Sequence, residues 1–584
     1  MQRKIHELAA LATDCYKFSH KQFYPFATNE DETGTEEVYS NMTPRRNSYF
    51  KWNDEYTTMG SELFASRFLI DFWNTNFFNL PKEEVVSDFV KVLNAGGLMN
   101  TLTAEDIGGL HDLGYLPIEV KALPEGIQVP TGVPMMTVRN TLPEYFWLPN
   151  FIETPLLSEV FPVMNAASIA RQYKKVALEW SKKTSEDDSH IPWQFHDFSR
   201  RGQHGNDAGT TIALGHLTSF AGTDSIQGAI MAANYHGADL NGDTPVYGSV
   251  MATEHSVASA YGREGELEYY KRLLTQFPDG ILSMVSDTYD YWNVLSKTLP
   301  ALKELIMGRN GKLVIRPDSG KIIDVIAGKR VFDLDSNEEF KECLEEFDVL
   351  SDAVADFIEF SDIMFVEGSI LKCGEDHFKV ESIRYTNDGF VSSLSVQKYE
   401  LTNEDKGSLN LLWETFGGTI NSKGYKVLDP HIGLIYGDSV TLDNVNDIFA
   451  AMERIGFASS NVVLGIGAYS YSVLNTRDTF GCAFKTTAVV VNGQERHVQK
   501  DPSTDKRKAS AKGYLAVITD DDVSSRNFGK PMLLQGLTRN EVINGYKGDL
   551  LETIFKDGVR TRSTSLEGIR FRIDARLNDV GIFL

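Results

Sequence analysis

The sequence is poor in cysteine, lacks any long apolar run and has no excess of positive charge. Its four cysteines are scattered and form no CxxC pair, which argues against a disulfide framework or a cysteine zinc site. No uninterrupted run of ~18 apolar residues occurs, and charged residues interrupt the N-terminal apolar stretch. We therefore expect a cytoplasmic protein without a signal peptide or a membrane span.

The charge balance limits the possible partners. Lys and Arg number 57 and Asp and Glu number 81, so the formal net charge is 57 − 81 = −24. This balance disfavours sequence-independent binding to nucleic acid or to an anionic membrane. Any phosphate site must depend on a few local Arg and Lys residues.

The order of apolar runs predicts the fold class. Helical stretches such as Gly60–Trp73 and a strand-like pair, Pro117–Ala122 and Pro134–Val138, lie in the first 190 residues. Beyond residue 193, short apolar runs that end in polar residues or glycine alternate with helical patterns. These runs are WQFHDFS, ILSMVSDTYD, KLVIRPDSG, IGLIYGDS and NVVLGIGA. The alternation predicts an α/β protein with parallel strands, and a β/α barrel is preferred over a doubly wound sheet.

The first chemical motif is HDFSRRGQHGNDAG, which spans His196 to Gly209. Phe198 could stack on a flat heteroaromatic ring, and Arg201 could bind a phosphate with its planar guanidinium. The alternative is that Phe198 belongs to the core and the arginines to the surface. Asp224, in the following GTDS, is either a turn residue or, if it faces Phe198, an acceptor for a substrate NH₂ that would repel a carboxylate.

Carboxylates recur where the later strands are predicted to end. Three different runs end in carboxylates, Asp287 and Asp290 in SDTYD, Asp318 in RPDSG and Asp438 in YGDS, and clusters of this kind suit Mg²⁺ bound to pyrophosphate. Arg316 would supply a cation beside Asp318. His255, in TEHS, is a structural residue or a phosphate-site residue.

The last apolar run leads into LGIGAYS, in which Gly465 and Gly467 would let the backbone approach a phosphate closely.

Taken in order, the motifs resemble those of nicotinamide phosphoribosyltransferases. The matching elements are TDCYK, HDFSRRG, GTD, EHS, SDTYD, RPDSG, YGDS, the glycine loop, TRD, FK and KDP.

The resemblance implies a type II phosphoribosyltransferase: a β/α barrel with a companion β-rich domain, acting as a homodimer with shared active sites. The implied division is 1–190 with part of the companion domain, 191–324 and 422–480 as two parts of the barrel, 325–421 as an inserted subdomain, and 481–584 as the rest of the companion domain. An acidic helical pattern and the strand-like runs HFKVESIRY and FVSSLSVQKY lie in the insertion.

The resemblance also implies the role of each site residue. The pyridine ring would stack between Phe198 and Tyr16 from the neighbouring subunit, with Asp224 on the amide and Ser283 close by. The diphosphate would contact Arg201, His255 and Arg316, and magnesium would lie near Asp287 and Asp318. Ribose and its phosphate would contact Gly437, Asp438, Gly467 and Ala468, with Arg477 and Lys485 reaching across the dimer.

The implied reaction joins nicotinamide to phosphoribosyl pyrophosphate and releases pyrophosphate, with Mg²⁺ as cofactor. ATP is implied as a coupled substrate that phosphorylates His255. Two alternatives stay open, a nicotinate phosphoribosyltransferase and a non-catalytic binding protein on the same scaffold. The sequence departs from the family at Arg200, where Tyr is frequent, at Ser439, where Gly is usual, and at Ala468–Tyr469, where glycines are common.

Overall fold

The computed structural model describes residues 5–98, 101–334, 350–360, 365–387, 391–437, 439–500 and 510–577. The chain forms two units. The first contains Met1–Lys175, Phe195–Ser249 and Ile466–Leu584, and the second contains Val176–Gln194 and Val250–Gly465. The division of the chain into five segments remains a prediction.

A seven-stranded antiparallel sheet lies in the first unit. Its strands follow the order Gln494–His497, Ala483–Val491, Thr35–Thr43, Met136–Asn140, Ile118–Ala122, Glu552–Lys556 and Val559–Arg560. The predicted pair is confirmed as two neighbouring strands, with Val120 opposite Val138. Two smaller antiparallel pairs join Glu55–Thr57 to Gln128–Pro130 and Tyr514–Thr519 to Pro531–Leu537.

Helices supply much of an apolar core in the first unit. The predicted helical stretch after Gly60 is confirmed as an α-helical turn, Ser61–Leu63, that continues as a π-helix, Phe64–Phe72. Further helices are His20–Phe23, Lys82–Ala95, Ala104–Leu113, Leu148–Phe151, Gly205–Leu217, Ile226–His236, Ala468–Ser472, Arg539–Ile543 and Leu566–Leu577. Met59, Val163, Leu214 and Ile569 meet in one buried cluster, which joins segments distant in sequence.

Parallel strands form the centre of the second unit. Their order is Val462–Ile466, Ile432–Tyr436, Leu313–Arg316, Leu282–Val285 and Met251–Ala252. Leu313 is paired with both Ile432 and Leu282. Most apolar residues of the four longer strands are buried, as in parallel sheets covered on both faces, whereas Met251 on the edge strand is exposed. The predicted α/β class is confirmed, with a curled parallel half-barrel and separate β-rich regions.

Helices of the second unit alternate with these strands. They are Ile191–Gln194, His255–Ala260, Glu266–Gln276, Ile322–Ala327, Leu350–Phe360, Asn403–Phe416 and Val445–Arg454. The helix Glu153–Thr184 contains the boundary between the units. The helical pattern of Tyr291–Met307 forms a series of short α and π segments, not one continuous α-helix. Pro300 accounts for part of this break because it has no N–H to donate along the helix.

The predicted insertion has a core of its own. Its sheet follows the order Val331–Asp333, Ile370–Cys373, Asp376–Tyr385 and Val391–Tyr399, which confirms both predicted strand-like runs. Val354, Phe365, Leu371 and Val380 are buried together between the sheet and the helix Leu350–Phe360. The earlier part of the acidic helical pattern, 335–349, lies outside the described residues.

No helix in the described part of the chain is long and apolar enough to cross a membrane.

The first unit buries several charged side chains. Glu62 is fully buried and accepts hydrogen bonds from Arg562 Nε at 2.8 Å and from Thr564 N at 2.6 Å. Glu125 is also fully buried, and its Oε2 lies 3.6 Å from His236 Nδ1. Burial, together with the nearby Glu62 carboxylate, raises the pKa of Glu125 to about 8.

The raised pKa of Glu125 predicts a pH-dependent stability. A carboxyl with an ordinary pKa of 4.5 that titrates near 8 when folded holds its proton more tightly in the native state. The stability that the Glu125 proton contributes to the folded state is therefore fully present below pH 4.5 and is lost as the pH rises towards 8. We expect Glu125→Gln, which stays neutral, to gain stability relative to the wild type across that range. Melting temperatures of both proteins from pH 5 to 9 test this, and a difference independent of pH would contradict it.

Candidate active site

The strand Phe195–Asp197 leads into the loop that carries the first motif. Asp197 is buried, and its two carboxylate oxygens accept hydrogen bonds from Ser199 N and Thr223 Oγ1, each at 2.9 Å. Thr223 lies beside Asp197 in a parallel bridge. Asp197 therefore fixes the turn after the strand and ties it to the loop that carries Asp224.

A cavity of about 460 Å³ opens beside this turn. Its walls carry an aromatic ring, two guanidinium groups and a carboxylate. The lining residues are Phe198, Arg200, Arg201, Gln203, Gly205, Asn206, Asp224 and Ser225. A flat ring and an anionic group would both find complementary chemistry here.

The carboxylate of Asp224 is held by two neighbours that the sequence motifs did not single out. His196 Nε2 and Ser249 Oγ lie 3.0 and 2.5 Å from Asp224 Oδ1. The His196 ring also packs against Phe198, with ring centroids 4.5 Å apart. Strand alternation was the available signal for His196, since residues two apart share a face. Ser249 gave no such signal.

The glycine loop packs against the same turn. Phe198 N donates to Ile466 O at 3.0 Å, and a Cβ placed on Gly202 would lie 2.3 Å from Ala468 Cβ. Gly202 therefore has no room for a side chain. Gly467 and Ala468, predicted to bind the ribose phosphate, thus lie beside the loop that carries Phe198 and Arg201.

In the second unit, two predicted carboxylates meet at the ends of neighbouring strands. Asp287 follows Leu282–Val285 and Asp318 follows Leu313–Arg316. Asp287 Oδ2 accepts hydrogen bonds from Asp318 N at 2.9 Å and Ser319 Oγ at 2.6 Å. These bonds connect the loops of SDTYD and RPDSG, so the parallel register brings together residues 31 positions apart.

His255 and Arg316 face these carboxylates. His255 Nε2 lies 3.6 Å from Asp287 Oδ1 and 3.9 Å from Asp318 Oδ2. Arg316 Nη2 donates to Thr253 O at 2.7 Å, and its Nε lies 3.8 Å from Asp318 Oδ1. His255 is half exposed, whereas Arg316 is mostly buried. The group therefore offers both cationic and anionic contacts.

The donors fit a magnesium ion that is also bound by a diphosphate. Asp287 Oδ1 is buried and makes no hydrogen bond, which leaves a carboxylate oxygen available beside Asp318. Mg²⁺ commonly takes one or two protein carboxylates and completes its shell with water and phosphate oxygens. No cluster of three or more His, Cys, Asp or Glu suited to a metal occurs among the described residues.

Gly437 closes one side of this group. A Cβ on Gly437 would lie 2.4 Å from Asp318 Oδ1, so a larger residue would displace the carboxylate. Asp438, predicted to contact ribose, lies outside the described residues. Ser283 is buried on the strand Leu282–Val285, and its carbonyl accepts a hydrogen bond from Thr253 N.

Ser439 follows with a backbone φ of 63°. A residue with a Cβ is strained there, so we expect Ser439→Gly to stabilise the protein by ~0.5–1 kcal/mol. Asn492 provides a contrast, because it also has a positive φ, 53°, but its Oδ1 accepts from Thr33 N and Gly34 N. Asn492→Gly should therefore give no gain. Thermal unfolding of both variants tests the prediction, and destabilisation by Ser439→Gly would contradict it.

The residues predicted to act across a dimer form a third group, in the first unit. The Tyr16 side chain is exposed, as is that of Arg477. Burial lowers the pKa of Lys485, and the nearby charges of Arg45 and Lys17 lower it further, although Glu153 opposes them. Burial lowers the pKa of Arg45, and the nearby charges of Arg46 and Arg477 lower it further. Arg45 thus joins the basic group, although its motif, TPRR, gave no separate signal.

Comparison with known proteins identifies the family. The model of the nicotinate phosphoribosyltransferase (NAPRTase) family matches residues 193–367 and 391–537. This chain belongs to that family. The nicotinamide phosphoribosyltransferase of Acinetobacter baylyi is 36% identical over 99% of this chain and 99% of the relative. Proteins of the same name from Mycoplasma pneumoniae and Xanthomonas campestris pv. campestris are each 30% identical, covering 86% and 79% of this chain and 94% and 80% of their own lengths.

The NAPRTase family match covers every motif from HDFSRRG to KDP. Between its two parts the match leaves out residues 368–390, which contain the strands Ile370–Cys373 and Asp376–Tyr385. The described site residues thus form two groups in the first unit, around Phe198 and around Lys485, and one in the second unit, around Asp287. That they converge on one cavity remains a prediction.

Proposed function

We propose that this chain transfers the phosphoribosyl group of phosphoribosyl pyrophosphate to nicotinamide, forming nicotinamide mononucleotide and pyrophosphate in NAD salvage. The observation that carries the proposal is the pairing of Phe198 and Asp224 on the walls of one cavity, with Asp224 held by His196 and Ser249. An aromatic face and a fixed carboxylate suit a pyridine ring with an NH₂ donor. The names of the full-length relatives point to the same substrate.

The phosphate chemistry is assigned to the charged groups. Arg201 on the cavity wall and Arg316 beside Asp318 would bind the diphosphate and stabilise its growing charge as it leaves. His255, within 4 Å of both carboxylates, would bind phosphate and, in an ATP-coupled cycle, accept a phosphoryl group. Gly437, Asp438, Gly467 and Ala468 would hold ribose and its phosphate.

Magnesium is proposed as the cofactor, held by Asp287 and Asp318. When bound, Mg²⁺ would neutralise diphosphate charge and orient the leaving group. The ring nitrogen of nicotinamide carries no proton, so the protein needs no general base for the attack. Orientation of the ring against Phe198 then contributes strongly to the rate, because two reactants held in the reactive geometry lose less entropy on reaching the transition state.

A homodimer with shared active sites is also proposed. Tyr16 would cover the second face of the pyridine ring, and Arg477 and Lys485 would reach the phosphate of the neighbouring subunit. The exposure of Tyr16 and Arg477 and the basic surroundings of Lys485 support this assignment. A cytoplasmic location is proposed because the sequence has only four cysteines, which are scattered and form no CxxC pair, as is common in proteins of a reducing compartment.

Nicotinate is the second candidate substrate, because the matching family model carries that name. The half-exposed carboxylate of Asp224 argues against it, since two like charges in one cavity repel. A nicotinate enzyme would need a neutral or cationic group at this place. The two pyridines therefore provide a direct comparison.

Incubation with phosphoribosyl pyrophosphate and Mg²⁺ tests the proposal. Nicotinamide or nicotinate is supplied, with and without ATP, and the mononucleotide is measured. We expect product from nicotinamide and a faster reaction with ATP. Product from nicotinate alone would favour the second candidate, and no product from either pyridine would leave the non-catalytic binding protein. Reactions without Mg²⁺ test the cofactor.

A further inference from the structure

The helix Leu566–Leu577 carries a buried guanidinium that the proposed chemistry does not use. All three side-chain nitrogens of Arg570 donate to backbone carbonyls, at N···O distances from 2.7 to 3.1 Å. The acceptors are the carbonyl oxygens of Leu217, Phe220, Pro245 and Val246. Burial lowers the pKa of Arg570 to about 10, although Asp574 opposes this effect. The group thus stays charged near neutral pH, and the carbonyl oxygens offset part of its desolvation.

The four acceptors belong to two runs of chain that lead to the substrate cavity. One run, 217–224, ends at Asp224, and the other, 245–249, ends at Ser249. The runs lie side by side, since Gly248 N donates to Ala221 O at 2.8 Å and Thr223 N donates to Gly248 O at 3.1 Å. At their ends Ser249 Oγ donates to Asp224 Oδ1.

The backbone pairing between the two runs is short. One isolated bridge, Gly222 with Gly248, joins the two runs, and Asp197 holds the first run separately at Thr223. Neither run is part of a β-strand over these residues. Short irregular pairs specify register poorly. A planar guanidinium with several donors fixes the spacing of its acceptors in a way that a single flexible ammonium cannot.

We propose that Arg570 is a positioning residue for pyridine recognition. By holding the starts of both runs, it sets where Asp224 and Ser249 lie relative to each other and to Phe198. The C-terminal helix thereby contributes to substrate selection without touching the substrate. The proposal rests on the proposed role of Asp224 as the acceptor for the substrate amide.

Arg570→Gln and Arg570→Lys test this role, with Arg572→Gln as the matched control. Arg572 lies on the same helix and also donates to a backbone carbonyl, Glu125 O at 2.7 Å, but neither run contains that carbonyl. We expect both Arg570 variants to raise the KM for nicotinamide about 10-fold, because small misplacements of a binding group are costly. The KM for phosphoribosyl pyrophosphate should change by less than about twofold, since neither run contains any of its proposed ligands. Arg572→Gln should leave both KM values unchanged.

Amide hydrogen exchange gives a readout that does not depend on activity. Peptides covering 217–225 and 244–250 should exchange faster in the Arg570 variants than in the wild type or in Arg572→Gln. An equal rise of both KM values, unaltered exchange in these peptides, or loss of folding in both Arg570 variants would overturn the proposal. A wild type that forms no nicotinamide mononucleotide, or an Asp224→Ala variant with unchanged nicotinamide KM, would instead reject the proposed function.

Discussion

Asp287→Asn is expected to lower kcat/KM by about 10²- to 10³-fold while leaving the protein folded, as removal of one transition-state stabilising group does in other enzymes. Asn has nearly the same shape, and its amide oxygen can still accept from Asp318 N and Ser319 Oγ. In the wild type, Asp287 Oδ1 faces His255 and makes no hydrogen bond. The variant has an uncharged NH₂ group in place of this oxygen. Steady-state kinetics over a range of Mg²⁺ concentrations measure the effect.

Asp290→Asn is the matched control because it lies in the same SDTYD motif. Its carboxylate caps a short helix by accepting from Asn293 N at 3.0 Å, and Asn is an equally good cap. We therefore expect less than about a twofold change in activity from this variant. Similar losses in both variants would assign the effect to the loop as a whole, and full activity in Asp287→Asn would remove this residue from the mechanism.

Asp224→Ala is expected to reduce kcat/KM for nicotinamide by about 10- to 100-fold, the range for losing a hydrogen bond to a charged group. The KM for phosphoribosyl pyrophosphate should stay the same. The change removes the proposed acceptor for the amide and leaves His196 and Ser249 without their shared partner. Unchanged nicotinamide kinetics would contradict the assignment of the substrate.

A neutral replacement separates charge from hydrogen bonding at this position. Asp224→Asn keeps an acceptor but removes the repulsion of a carboxylate, so the variant should use nicotinate better relative to nicotinamide than the wild type does. Asp207→Asn is the control. Asp207 is an exposed acid that pairs with Arg67 at 3.0 Å and does not line the Phe198 cavity. Its substitution should leave the ratio of the two substrates unchanged.

The strands that carry the site were predictable because parallel strands are buried on both faces. Their runs, such as Leu282–Val285 and Ile432–Tyr436, are therefore mainly apolar and end in polar residues or glycine. Helix breaks were less predictable. The sequence between Tyr291 and Met307 has a helical pattern, but Pro300 and the local packing divide it. Periodicity reports which face is apolar and does not report each backbone hydrogen bond.

The partners of the site residues could not be read from the motifs. His196 and Asp224 are 28 residues apart, and nothing in their spacing requires contact. Arg570 lies more than 300 residues from the carbonyls that it holds, and backbone carbonyls have no sequence signature. The sequence also did not indicate that Arg45 belongs to the basic group, since most arginines are surface residues.

By itself the sequence determined the α/β class, the strand runs and the motif series that led to the phosphoribosyltransferase family, because these depend on local periodicity and on residue order. Tertiary structure decided which groups meet: that Asp287 accepts from the RPDSG loop, that His196 and Ser249 hold Asp224, and that a C-terminal arginine binds the chain leading to both Asp224 and Ser249. Such contacts arise when distant segments pack together, and hydrogen bonds of 3 Å depend on that packing rather than on separation along the chain.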